Sequence, residues 1–237
     1  MVNRARNRRS GRSRLRLASA VTALLAAGSA HADLADLAMG GPRPALLALA
    51  EGAADRYLGE HAIDRPRLLT IIDYSLPSTE PRLWVIDRDR RRVLFHVLVA
   101  HGRGSGENYA TQFSNRAGSL QSSLGLFLTE ETYVGANGHS LRLRGLEPGI
   151  NDRARERAVV MHGAPYVDAD FARQHGRLGR SWGCPALETQ IARPLIDLIR
   201  EGSLLFAYAP DRSWFDHSRY RIAEASPGLI GAIGAVP

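Results

Sequence analysis

One cysteine, Cys184, stands in a chain of 237 residues, so no disulfide can form within it and its fold must be held by a hydrophobic core. The length and the 44% hydrophobic content allow a substantial core, exclude wholesale disorder and predict one principal domain. The cysteine lies in Gly179-Arg180-Ser181-Trp182-Gly183-Cys184-Pro185, downstream of Met161-His162-Gly163 at the end of an apolar run. Gly183 before it and Pro185 after it suit a sharp turn that presents a side chain better than they suit a core strand or helix. That weighs against the plain reading of a lone thiol as a small buried hydrophobe. A thiol that no second cysteine can oxidise, held in a bend with a histidine upstream, is a candidate nucleophile.

The formal charge of +7 would by itself suggest a polyanionic partner, but the excess sits at the amino end. Residues 1–32 hold Arg4, Arg6, Arg8, Arg9, Arg12, Arg14 and Arg16 with no acid, then an apolar run at 17–27 and Ala30-His31-Ala32. A basic n-region, an apolar stretch too short for a bilayer and a small-x-small cleavage pattern predict a signal peptide over 1–32. The expected destination is the periplasm or cell envelope. Ordinary secretion is favoured over twin-arginine export, because the usual hydrophobic residues do not directly follow Arg8-Arg9 and nothing cofactor-like demands prefolded transport. Loss of these seven arginines leaves 24 basic residues against 24 acids, a formal charge of zero, and no basic stripe is interleaved with aromatics. No nucleic-acid partner is therefore expected. The absence of a cysteine at the cleavage site argues against a lipoprotein anchor. The apolar stretch at 229–236 is too short to cross a membrane, so no stable span is expected after cleavage.

In the mature chain, apolar residues at Leu46, Leu47, Ala50, Ala53, Ala54, Tyr57 and Leu58 predict an amphipathic helix over 44–58, packed on the outside of the domain and stopped by Gly59. Strand-like runs follow at 68–74, 83–87 and 93–100, the last two joined as a hairpin through Arg88-Asp89-Arg90-Arg91. The Gly- and Ser-rich stretch 101–120 is no phosphate loop, since the spacing is wrong and the chain has no lysine. Further strands are expected at 124–129, 141–143, 158–161 and 204–208, with turns at Gly135 and Asn137-Gly138. Pro194 is placed as the first residue of a helix ending at Gly202. Hairpins with few helices predict a mainly β or α+β domain rather than a parallel doubly wound one. The expected division is 1–32 signal peptide, 33–65 N-terminal helical segment, 66–210 principal domain and 211–237 C-terminal tail.

A free cysteine is only a few per cent thiolate at neutral pH, so an efficient thiol nucleophile needs a base. His162, closing its strand, is the best candidate. Ser181 and the backbone N–H groups around Gly183 and Cys184 are candidate oxyanion donors, with a turn-stabilising role for the Ser181 hydroxyl the equal alternative. His101 precedes the glycine-rich loop and is read as ordering it or lining the cleft rather than as the base. His139 is expected at a surface turn and His175 facing solvent, while His31, His61, His96 and His217 lack a comparable context. No close pair such as His-x-x-x-His is present, so no metal site is expected. Arg180 could meet a carboxylate as a paired contact, or lie on the surface. Trp182 could line the cleft or pack beside it.

His162-Gly163 followed by Ser181-Trp182-Gly183-Cys184 resembles the YkuD-type L,D-transpeptidase signature, a histidine-glycine pair ahead of a Ser-x-Gly-Cys turn. Phe113-Ser114-Asn115, Gly118-Ser119, Ser122-Ser123-Leu124-Gly125, Tyr133, Gly135, Gly138 and the run 141–145 extend the likeness to the murein L,D-transpeptidase catalytic-domain branch, over about 68–208. Trp182 departs from the pattern, because many members carry histidine there. The resemblance implies a β-sandwich-like catalytic domain with a few peripheral helices. It also implies a cysteine acyl transferase acting on peptidoglycan stem peptides, with Cys184 as nucleophile and His162 as base. Gly163, Arg180, Trp182 and His101 are then the candidate substrate contacts. A thioester on Cys184 would pass to an amine, giving 3-3 crosslinks or an attached acceptor, or to water. No cofactor is implied, and carbapenems are expected to acylate the same sulfur. The alternatives are an L,D-carboxypeptidase or hydrolase with the same site, and a non-catalytic peptidoglycan-binding module.

Overall fold

Every apolar run read as a strand is one. The structure of the chain, a computed structural model, describes residues 37, 40–61 and 66–221. The expected signal peptide and the apolar stretch at 229–236 lie outside the described residues. The strands are β1 (Leu68–Asp73), β2 (Leu83–Asp87), β3 (Arg92–Val97), β4 (Gly125–Gly135), β5 (Gly138–Gly145), β6 (Val160–Gly163), β7 (Ala186–Leu187) and β8 (Leu204–Tyr208). They form one eight-stranded sheet in the order β3-β2-β1-β8-β4-β5-β6-β7. Pairing is antiparallel except for β1 with β8 and β6 with β7, so the sheet is mixed, as expected of a mainly β or α+β domain. Its two ends are tied together: the chain leaving β3 meets β7 at an isolated Ala100–Ala186 bridge and meets the cysteine turn at Gly102–Ser181. The sheet therefore almost closes into a barrel.

Helix α1 (Pro44–His61) buries Leu46, Leu49, Ala50, Ala53, Ala54, Tyr57 and Leu58 in the same apolar cluster as β1, β2 and β8. It runs past Gly59, where an added Cβ would meet nothing, so that glycine is a solvent-facing helical residue and not a stop. The β4–β5 hairpin is longer than its apolar residues suggest. It turns through Ala136-Asn137, with Gly135 opposite Gly138.

Helix α3 (Thr189–Ile199) corrects the sequence reading at its start, for Pro194 is inside the helix. The proline forfeits the bond that its N–H would have made, a loss of roughly 3 kcal/mol. Leu195, Ile196 and Ile199 are fully buried beyond it, each stabilising by about 1.5–3 kcal/mol, and their sum wins. At the other end Glu201 takes the left-handed conformation (φ 60°) ahead of Gly202.

Two short helices went unread. Helix α2 (Ala169–His175) is capped by the Asp168 carboxylate accepting from Phe171 N and ends at Gly176. Helix α4 (Arg212–His217) is capped by Asp211 accepting from Trp214 N. Trp214 and Tyr220 then bury in the main core, and Ser218 bonds the buried Glu147 carboxylate, so residues up to 221 are packed on the sheet. Among the described residues no helix is long and apolar enough to cross a membrane.

Candidate active site

Strand pairing brings the histidine and the cysteine together. Val160, Met161 and His162 of β6 are buried, and β7 lies parallel with His162 opposite Ala186 and Gly163 opposite Leu187. Cys184 is two residues ahead of Ala186, and the His162 N–H donates to Pro185 O at 3.4 Å. The sulfur rests against the beginning of the histidine's own strand. It accepts from Val160 N at 3.5 Å, and the thiol donates to Ala158 O at 3.7 Å.

The turn carrying the cysteine is clasped from within and from below. Ser181 Oγ donates to Cys184 O at 2.6 Å and accepts from Gly183 N at 3.0 Å. Gly183 has φ 123°, and a Cβ there would stand 2.8 Å from Gln121 O, so only glycine fits. Ser122 Oγ accepts from Gly102 N at 3.0 Å and donates to Gly183 O at 3.2 Å, joining the glycine-rich loop to the turn. The Ser181 hydroxyl thus orders the turn, the second of the two roles open to it, and the Gly183 N–H is already taken by that hydroxyl. The Cys184 N–H makes no hydrogen bond among the described residues.

The state of the pair follows from its partners. His162 Nδ1 lies 2.9 Å from Gly163 O, and a carbonyl only accepts, so Nδ1 carries the proton and Nε2 keeps its lone pair. Burial lowers the His162 pKa, partly opposed by that hydrogen bond. Burial raises the Cys184 pKa, opposed by the Val160 N–H and by the Arg157 charge. Both shifts favour the uncharged forms, a neutral imidazole and a protonated thiol.

Arg157 is the residue that sequence reading missed. Its guanidinium donates to Ser114 O, Ser123 Oγ and Gln121 O at 2.6, 2.5 and 2.6 Å, and to Ser119 Oγ at 3.3 Å. It also faces the turn, since a Cβ on Gly183 would lie 3.5 Å from Arg157 Nη2. In sequence it ends the charged stretch Arg153-Ala154-Arg155-Glu156-Arg157, which looks like solvated surface. Arg153 and Arg155 are just that, paired with Glu156 and with Glu130 and Glu131. Nothing in the letters marks the third arginine as the one that turns inward.

The remaining candidates separate cleanly. Trp182 is 73% exposed beside the cysteine, with the Arg103 guanidinium 5.8 Å from its ring centre. Arg180 is held in the loop through Nη1, which donates to Gly106 O at 2.9 Å and Glu107 Oε1 at 2.6 Å. Gly163 is a packing residue, as its missing Cβ would lie 3.0 Å from Ala192 Cβ, and its carbonyl orients His162. His101 is fully buried and touches no open cleft. Arg82 Nη2 donates to its Nδ1 at 2.8 Å, and its Nε2 lies 3.4 Å from Gly106 O. Burial and the Arg82 charge push its pKa down to about 4. It orders the loop, as one of the two readings held. His175 faces solvent stacked on Phe171, and His139 pairs with Asp197 at 2.8 Å.

The model of the L,D-transpeptidase catalytic domain family matches residues 46–208, well over half of the chain. The chain belongs to that family. The match takes in α1 from its third residue, all eight strands, His162 and Cys184. Solved structures similar to this one include an L,D-transpeptidase from Mycobacterium smegmatis, 15% identical, covering 60% of this chain and 59% of that one at a TM-score of 0.39. An LD transpeptidase in complex with imipenem is 15% identical over 60% of this chain and 59% of its own, at 0.37. An L,D-transpeptidase from Xylanimonas cellulosilytica is 15% identical over 68% and 77%, also at 0.37. The chain thus spans about three-fifths of the first two, and membership rests on the family match rather than on these likenesses. Comparison with curated proteins gives no match.

Proposed function

We propose that this L,D-transpeptidase family member is an exported cysteine acyl transferase working on peptidoglycan stem peptides. The observation that carries the reading is the β6–β7 register, which sets the His162 strand against the Cys184 turn. His162 Nε2 takes the thiol proton as sulfur attacks the carbonyl of the stem's L-centred residue. The carbon–nitrogen bond to the terminal D-residue breaks, and the imidazolium returns the proton to the leaving amine. An amine of a second stem then attacks the thioester, loses its proton to His162, and the thiol is restored. The resting neutral pair suits this route, in which the base acts during attack. The Cys184 N–H, which makes no hydrogen bond among the described residues, is the donor proposed for the oxyanion, a contribution of roughly 10² to 10³ in rate. The same attack on a carbapenem's lactam carbonyl would break the ring C–N bond, leave the nitrogen protonated and the sulfur acylated. Export rests on residues 1–32.

The test is incubation of the mature protein, wild type and Cys184→Ala, with disaccharide-tetrapeptide, followed by mass spectrometry. Transfer predicts an acyl adduct on Cys184 and a crosslinked dimer; tripeptide without dimer would favour the carboxypeptidase. Identical behaviour of the two proteins, with no carbapenem adduct on either, would leave the binding-module reading.

A further inference from the structure

The arginines around the cysteine turn differ in what they have left to offer. Arg177 and Arg180 share Glu107 at 2.9 and 2.6 Å, so that carboxylate absorbs both. Arg157 spends its donors on four oxygens of the 114–123 loop. The Arg103 guanidinium is exposed and makes no hydrogen bond or ion pair among the described residues; what holds it is the face of Trp182. Trp182 is itself 73% exposed, in a chain whose other two tryptophans are buried.

The pair is anchored to the nucleophile. Arg103 N donates to Ser181 O at 2.8 Å, and Gly102 bridges Ser181. Gly102 packs so closely that an added Cβ would be 2.7 Å from Gly183 Cα. The backbones on both sides of the cation–aromatic contact are therefore fixed next to Cys184. A guanidinium lying on an aromatic face keeps its edge of N–H donors open, and that edge matches a carboxylate in a paired contact. The ring beside it supplies apolar surface for an aliphatic stem.

We propose that Arg103 and Trp182 form a carboxylate-binding subsite beside Cys184, which seats a free carboxylate of the peptide that the cysteine attacks. The proposal rests on the acyl-transfer reading above for its substrate, and its chemistry can be tested without that reading. Alkylation of Cys184 by iodoacetate and by iodoacetamide, both at one alkaline pH where part of the thiol is ionised, compares an anionic with a neutral probe of nearly the same size. In Arg103→Gln the iodoacetate rate should fall about tenfold while the iodoacetamide rate holds, with Arg103→Lys between, as a point charge without the planar fork. In turnover, Arg103→Gln should raise KM about tenfold for a stem peptide with free carboxylates, and an amidated peptide should not feel the change. Equal loss of both reagents would mean that Arg103 only supports the turn, and unchanged rates for both would leave it without a role; either overturns the subsite. So would a KM effect of Trp182→Ala on disaccharide-linked but not free peptides with Arg103→Gln silent, which would make the ring a sugar platform. Selective loss of iodoacetate reactivity would uphold the subsite even if no stem peptide reacted, whereas inert wild type toward stem peptides would overturn the acyl-transfer reading alone.

Discussion

Two of the chain's His-Gly pairs flank the cysteine turn, and they have opposite fates. His101-Gly102 approaches from the glycine-rich loop through the Gly102–Ser181 bridge, and His162-Gly163 approaches from β6 through the His162–Ala186 pairing. Both imidazoles are buried and both have lowered pKa values. The difference lies in the nitrogens. At His101 the Arg82 guanidinium fills Nδ1 and the Gly106 carbonyl takes Nε2, so the ring has nothing to give a substrate. At His162 one neighbouring carbonyl fixes the tautomer and the other nitrogen stays open. The two rings thus differ in one unspent nitrogen, which is the feature that a proton acceptor requires.

The largest expected effect breaks that symmetry directly. His162→Ala should lower kcat for acyl transfer by roughly 10² to 10⁴, the usual worth of a positioned acid–base group, with little change in melting temperature. His101→Ala should do the reverse. It leaves the buried Arg82 donor without its acceptor, destabilising by about 1–3 kcal/mol, and it should keep most of its kcat while folded. Paired measurements of turnover and thermal unfolding on both variants decide the matter, and a His101 variant that folds normally but loses turnover would reverse the assignment.

Acid sharpens the same contrast. The His101 pKa falls from 6.5 in the unfolded chain to about 4 in the folded one, so between those values the unfolded chain binds the proton first. The stability this group contributes is complete above pH 6.5 and drains away as pH falls toward 4, by about 3 kcal/mol at 1.4 kcal/mol per pKa unit. Urea midpoints at intervals across that window should slope by up to one proton in wild type and less in His101→Ala. At the candidate site the lowered imidazole and raised thiol predict, if the proposed reaction runs there, an acid limb of kcat/KM beginning below 6.5 and thiol alkylation titrating above 9. An alkylation midpoint near neutrality would instead reveal a preformed ion pair.

How much of this the letters carried depends on which force set each feature. Core strands were legible because β2 and β8 are buried along their whole length and read as unbroken apolar runs. The cysteine turn was legible because Gly183, at φ 123°, is a backbone requirement. Pro194 was misplaced because tertiary burial of Leu195, Ile196 and Ile199 overrode a local rule. Arg157, Arg103 and Arg180 could not be ranked, because all are arginine in an arginine-rich chain; the acceptors of Arg157 and Arg180 lie 34 to 74 positions away, and among the described residues the Arg103 guanidinium meets only the Trp182 ring. A contact over that distance leaves no periodic trace.

The smallest expected difference lies in the two glycines. A methyl group on Gly102 would stand 2.3 Å from Leu120 O and 2.7 Å from Gly183 Cα, both backbone atoms that cannot swing aside. On Gly163 it would stand 3.0 Å from the Ala192 methyl and 3.3 Å from Thr189 Cα, on a helix that can retreat by a few tenths of an ångström. Gly102→Ala should therefore cost about 1–3 kcal/mol of stability and slow alkylation of Cys184, because the loop can seat only by displacing the turn. Gly163→Ala should cost less than about 1 kcal/mol and leave the Gly163 carbonyl on His162. Adding Ala192→Gly removes the facing methyl and should recover packing in the second case only, measured against the loss of about 1 kcal/mol that glycine itself brings to a helix. If Gly163→Ala proved the worse of the two, α3 rather than the glycine-rich loop would be the rigid wall against which the cysteine turn is set.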